Sequence, residues 1–194
     1  MFELPEGLPI ELTPLAFLVG RWEGTGVIAI DGVEHEFSQK IEFAHDGSAA
    51  LTYVSSAKLN DESGTALPSE LGYWRVARPR NDFDYGPGLI PGKGENPIGD
   101  YEAMEQFRAE HGGYDIEVST IHPGGMAELY RGWVRSGRIE LASAHGVAFE
   151  GAKTYRHSTR MYGLVENALL WAWDIALPGS DLKSHASARL EKVG

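Results

Sequence analysis

The chain carries seven histidines and no cysteine. Metal or nucleophile chemistry therefore has to rest on imidazole, carboxylate, phenol, thioether or hydroxyl groups. Disulfides, thiolate nucleophiles, cysteine zinc sites and thioether-linked haem are excluded. Among the histidines, His185 stands out because it opens a strand-like stretch, Leu182-Lys183-Ser184-His185-Ala186-Ser187-Ala188-Arg189-Leu190. Taken alone, such a position is more often a hydrogen-bonded strand end than a metal ligand. His145 ends an apolar run and is placed to face a cavity. His45 sits before Asp46-Gly47 at a hairpin corner, while His35, His111, His122 and His157 fall in polar stretches read as exposed. Familiar phosphate and hydrolase signatures fail. Gly24-Thr25-Gly26-Val27-Ile28-Ala29 spells GxGxxA, but Asp31-Gly32 ends the run and no helix follows to receive a pyrophosphate. Gly92-Lys93-Gly94 lacks the Walker spacing, and neither HExxH nor GxSxG occurs.

The elements that must position these groups are strands. In Leu169-Leu170-Trp171-Ala172-Trp173-Asp174-Ile175-Ala176, the large residues Leu169, Trp171, Trp173 and Ile175 share one face. Period-two runs of this kind predict strands at 20–30, 34–45, 49–60, 71–77, 114–121, 127–134, 139–145, 153–165, 168–177 and 185–193. Asp31-Gly32, Asp46-Gly47, Pro123-Gly124-Gly125, Ser136-Gly137 and Glu166-Asn167 fall between them as turns. Periodicity alone is compatible with a two-sheet sandwich. An antiparallel up-and-down barrel of about ten strands is the expectation, because closure removes exposed edges and leaves an interior large enough for a ligand. A short helix capped by Thr13, with Pro14 at its first position, would plug one end. Asn81–Gly113 breaks the pattern as a Gly/Pro-rich insertion followed by a helix-prone stretch, with Tyr101, Met104 and Phe107 at helical spacing. It would cover either a barrel end or a strand edge. Ala186, Ala188 and Leu190 look core-facing, so a regular strand would turn His185 outward, and a bulge at Ser184 would bring it in.

The 194 residues, 42% hydrophobic with a formal charge of −11, suit one globular domain with a sizeable core, spanning 1–194 and including the insertion at 81–113. The acidic balance argues against a nucleic-acid partner. Without a basic, apolar leader or a membrane-length apolar run, the expectation is a cytoplasmic protein that does not engage a membrane. The expected partner is a small-molecule ligand; oligomeric state is not encoded legibly.

Leu15-Ala16-Phe17-Leu18-Val19-Gly20-Arg21-Trp22-Glu23-Gly24-Thr25-Gly26 resembles the opening of the nitrobindin family, whose GxWxGxG signature is matched by Gly20, Trp22, Gly24 and Gly26. Phe43-Ala44-His45-Asp46-Gly47, Glu70-Leu71-Gly72-Tyr73-Trp74-Arg75 and Leu182 to Leu190 agree in the same order. The resemblance spans nearly the whole chain outside the insertion. It implies a ten-stranded antiparallel barrel, shaped like fatty-acid-binding proteins, that holds haem b non-covalently at its mouth. It further implies that His185 is the proximal iron ligand and that Lys153, in Ala152-Lys153, belongs to the haem site. The implied activity is nitric oxide binding and isomerisation of peroxynitrite to nitrate on ferric haem. The residues themselves are consistent with this. Without cysteine, His is the natural axial donor. An apolar interior lined by Trp171, Trp173 and Met161 would suit a macrocycle, and Lys153 could pair with a propionate. No protein acid or base is assigned. One departure is Val54-Ser55-Ser56-Ala57-Lys58, where the family often has a Thr-Trp pair. The alternative function is a non-enzymatic carrier of a fatty acid or other apolar molecule, and a third is a ligand-free scaffold.

Overall fold

In the computed structural model, which describes residues 4–193, ten antiparallel strands close into one barrel in the order β1-β10-β9-β8-β7-β6-β5-β4-β3-β2. They are β1 (Gly20–Ile30), β2 (Val33–Ala44), β3 (Leu51–Leu59), β4 (Ala66–Val76), β5 (Tyr114–His122), β6 (Met126–Arg135), β7 (Arg138–Ala148), β8 (His157–Val165), β9 (Ala168–Ala176) and β10 (Lys183–Val193). Every strand pairs with its sequence neighbour, and β1 with β10 completes the ring. The expected barrel is thus the fold, not a sandwich. Asp31-Gly32, Ser136-Gly137 and Glu166-Asn167 all hold positive φ at both residues, the twist that two-residue hairpins need.

The signature glycines have a mechanical reason. A Cβ on Gly24 would sit 2.1 Å from the Arg189 carbonyl oxygen, and one on Gly26 2.2 Å from that of Ser187. β1 and β10 can approach this closely only without side chains there.

Up-and-down winding places alternate connections at opposite ends. One end is closed by a 3₁₀ segment, Ile10–Leu18, whose Leu12, Leu15 and Leu18 are fully buried. The Trp22 indole N–H donates to the Leu18 carbonyl oxygen at 2.7 Å. This segment starts earlier than the sequence suggests, because Pro9 (φ −56°) already sets the chain for it. Thr13 is not its cap; the hydroxyl donates to the Ile10 carbonyl oxygen instead.

The insertion joins β4 to β5 at this same plugged end and leaves the opposite mouth uncovered. Its helix, α1 (Tyr101–Glu105), is capped by Asp100, which accepts from the Ala103 N–H. α1 is shorter than the helix-prone stretch, because the chain bends after it to bring Arg108 into a bridge with Tyr114. Met104 and Ile98 join the core and Phe107 is half-buried, but Tyr101 is exposed. Buried Glu11 of the plug clamps the insertion's start: Arg78 reaches Glu11 at 2.9 Å and Asp84 at 2.8 Å.

β8 begins at His157, not at Lys153 as the periodicity suggests. Gly151, at φ +80°, turns the chain within the connection from β7, and the Phe149 N–H ties that connection to the Gly125 carbonyl oxygen.

Candidate functional site

Above the plug, an aromatic layer fills the barrel's waist. Trp74 meets Phe43 edge-on at 5.4 Å and Tyr162 edge-on at 5.1 Å between ring centroids. Beyond it the interior opens into a cavity of about 510 Å³, within the usual range for small-molecule sites. Ile28, Phe37, Ala57, Leu67, Met126 and Trp171 supply its apolar wall.

His185 lines this cavity. The β9–β10 register shifts between Ser184 and Ala186, so His185 is the extra residue of a bulge. That irregularity reconciles an inward His185 with the inward Ala186, Ala188 and Leu190. Its ring meets Trp173 edge-on at 5.4 Å and 83°. Burial, and then the charge of Arg160, hold its pKa below the ordinary histidine value, which favours the neutral, metal-ligating form.

The cavity floor is a polar network that the sequence reading did not assemble. Arg160 grips Glu70 with two bonds, 2.8 and 2.6 Å, and Tyr53 donates to the same carboxylate at 3.0 Å. Burial opposes ionisation of Glu70, but the charge and hydrogen bonds of Arg160, helped by His122, hold its pKa below the ordinary value. His122 stands 3.1 Å from Glu128 and 3.5 Å from Glu70. Tyr130 and Tyr155 both donate to Glu128. Burial pushes the Tyr130 phenol up to about 12 and the Tyr155 phenol higher still, so both remain protonated donors. On the opposite wall Gln39 accepts from the Trp171 indole N–H and donates to Ser55, each at 2.9 Å. Ser55 and Ala57 both line the cavity across a register shift in β3.

The structure brings only some of the sequence-picked residues together. Lys153 lies exposed on the cavity rim, in the connection before β8. His145 is exposed on the outer face of β7, not turned to the cavity. Met161 is 43% exposed and also points outward; its neighbours Arg160 and Tyr162 are the buried, inward residues of β8. His122, read as exposed, is a cavity residue, and its parity with Tyr114, Ile116 and Val118 was the available signal. His157 is half-buried and bonded to Ser143 at 2.8 Å. Among the described residues, no cluster of three His, Asp or Glu could hold a bare metal ion. His185 is the imidazole that a bulge turns into the cavity.

Comparison with known proteins agrees with this geometry. Residues 11–192 match the family described as THAP4-like, heme-binding beta-barrel domain. The chain is 53% identical to a peroxynitrite isomerase of Leifsonia xyli subsp. xyli and 48% identical to one of Clavibacter michiganensis subsp. michiganensis, each alignment covering 100% of both chains. A solved structure, that of Rv2717c from M. tuberculosis, superposes with a TM-score of 0.68 at 24% identity, covering 99% of this chain and 100% of that one.

Proposed function

The chain belongs to the THAP4-like, heme-binding β-barrel family, the nitrobindins, and from that membership we propose that it binds haem b non-covalently through His185 and isomerises peroxynitrite to nitrate. The observation that carries this reading is the bulge that delivers His185 into a largely apolar cavity. His185 has the features an axial ligand needs. It is half-buried, its protonation is disfavoured by burial and by Arg160, and it makes no hydrogen bond to another described residue. With no cysteine in the chain, covalent thioether attachment is impossible.

When bound, haem iron supplies a Lewis-acidic centre for the rearrangement of peroxynitrite and a site for nitric oxide. The protein's contribution is positional. The apolar wall that includes Ile28 and Trp171 would shield a bound macrocycle from water, and Lys153 on the rim would offer its ammonium to a propionate. Tyr130 and Tyr155 remain hydrogen-bond donors within the cavity floor. No side chain has to move a proton for an isomerisation that conserves every atom of its substrate.

A fatty-acid carrier is less well supported. Arg160, the guanidinium of the cavity, is already engaged by both Glu70 oxygens, which leaves it unavailable to a ligand carboxylate.

Haemin titration of the purified chain tests the proposal. A saturable Soret band in the wild type, lost or strongly shifted in His185→Ala together with nitrate yield from peroxynitrite, is the expected result. Absence of a saturable band in the wild type refutes the haem reading. Displacement of a fluorescent fatty acid would then support the carrier.

A further inference from the structure

We infer that Trp173 is the positioning residue for His185, and that the buried Glu70–Arg160–His122–Glu128 network orients the haem ligand through this indole. The inference rests on the proposed role of His185 and assigns a function to groups that the role itself does not use.

A ligating histidine usually donates its second ring N–H to a carboxylate or carbonyl, which fixes the ring. His185 has no such partner among the described residues. Its place in a bulge also removes the ladder constraint that would orient an ordinary strand residue. The aromatic contact it makes is the T-shaped one with Trp173, whose backbone pairs with Ala186 directly beside it.

Trp173 lines the cavity and is itself held by three neighbours. The Arg160 guanidinium lies 4.0 Å from its ring centroid, a cation–π contact. The His122 ring is nearly parallel to it, at 17° and 6.4 Å, and Tyr155 meets it edge-on at 5.9 Å. Each of these three is anchored to a buried carboxylate: Arg160 to Glu70, His122 to both Glu128 and Glu70, and Tyr155 to Glu128. Two carboxylates therefore set three groups, the three groups set one indole, and the indole sets the imidazole. The Trp173 Nε1 atom is buried with no hydrogen-bond partner, so the ring is fixed by face and edge packing rather than by a donated bond.

The test compares Trp173→Leu with Trp173→Phe, which keeps an aromatic edge. In the haem-free wild type, ¹H–¹³C spectra should show His185 ring protons displaced by the indole's ring current and locked in one rotamer. Trp173→Leu should abolish both features and lower haem affinity about tenfold or more, the usual cost of losing an orienting partner, while Trp173→Phe restores most of it. If Trp173→Leu keeps its far-UV spectrum and its haem affinity, the inference is wrong. Rotamer averaging of His185 in the wild type overturns it as well, even if the leucine variant does not fold. Failure of the wild type to bind haem would refute the proposed function, while the haem-free spectra would still decide whether Trp173 holds His185.

Discussion

Gly26→Ala and Gly163→Ala add the same methyl group to two strand glycines of the same barrel, and the structure expects opposite outcomes. At Gly26 the new Cβ would lie 2.2 Å from the Ser187 carbonyl oxygen, 2.6 Å from the Ala188 Cβ and 2.7 Å from the Phe37 ring. The first two contacts are with the β10 backbone and a stub side chain, so no rotamer change relieves them and the strands must separate. Overpacking of this kind costs about 3 kcal/mol. At Gly163 nothing lies within 4 Å of the added atom, and the stiffer unfolded chain stabilises by about 0.5 kcal/mol. The expected gap is about 3.5 kcal/mol, or roughly 7–14 °C in Tm for a chain of this size. Urea unfolding of the two haem-free variants, compared at equal m-value, measures it. If the variants differ by less than about 1 kcal/mol, the GxWxGxG glycines are not there for strand closure, and a direct ligand role would have to be sought.

Two further outcomes follow from the charged groups. Arg78→Met removes both hydrogen bonds to the fully buried Glu11 and leaves it Arg75 at 3.7 Å, so it should cost about 3 kcal/mol in urea unfolding, the low end for a broken buried pair; haemin affinity should stay unchanged, because the clamp lies at the plugged end, and a parallel loss of affinity would contradict the two-ended layout. The pH dependence should fall on the acid side. The folded pKa of His185 is depressed by burial and Arg160, so the neutral ligand persists below pH 6.5 and haemin affinity should drop only under that, by about tenfold per pH unit as one proton competes. Glu70 and Asp84 are likewise depressed, Asp84 to about 2 from 3.8 through its bonds to Arg78, which outweigh burial. Their stabilisation is present above the ordinary carboxylate range and is lost as pH falls through it. Haem-free unfolding followed from pH 7 to 2 should show stability declining from about pH 6.5, where the unfolded state begins to protonate His185, and further below about pH 4.5 as the carboxylates follow, and a rise there would reverse the assigned sign.

Much of the architecture was legible because alternation and turn chemistry are local. Glu166-Asn167 closes its hairpin with two positive-φ residues, and β1 runs over the span its pattern predicts. The polar floor was harder to see. Glu70 lies N-terminal to the predicted strand at 71–77, since Ala66-Leu67-Pro68-Ser69 carries little apolar alternation, yet β4 runs through it. Arg160 and His122 occupy inward positions that parity did indicate, but charged residues are ordinarily assigned to solvent. What makes them inward is each other, across strands far apart in sequence, and a single strand's pattern does not carry that. Lys153 was misplaced onto a strand because its run is continuous with the strand in sequence, whereas the chain bends at Arg156 and pairs with β9 only from His157.

The pairing of β1 with β10 bears on how the site comes into existence. A chain that has emerged only through β9 has most of the cavity wall, Trp173 included, but it also has two raw edges and no His185. The strand that seals the ring is the one that delivers the imidazole. Ring closure joins segments more than 150 residues apart, as in Gly24 against Leu190, so it is a late, high-contact-order step. If His185 holds the haem as proposed, cofactor loading is thereby tied to completed folding. On the proposed ligation a half-made barrel would have no axial ligand to offer, and haem captured through His185 would report that the last seam has closed.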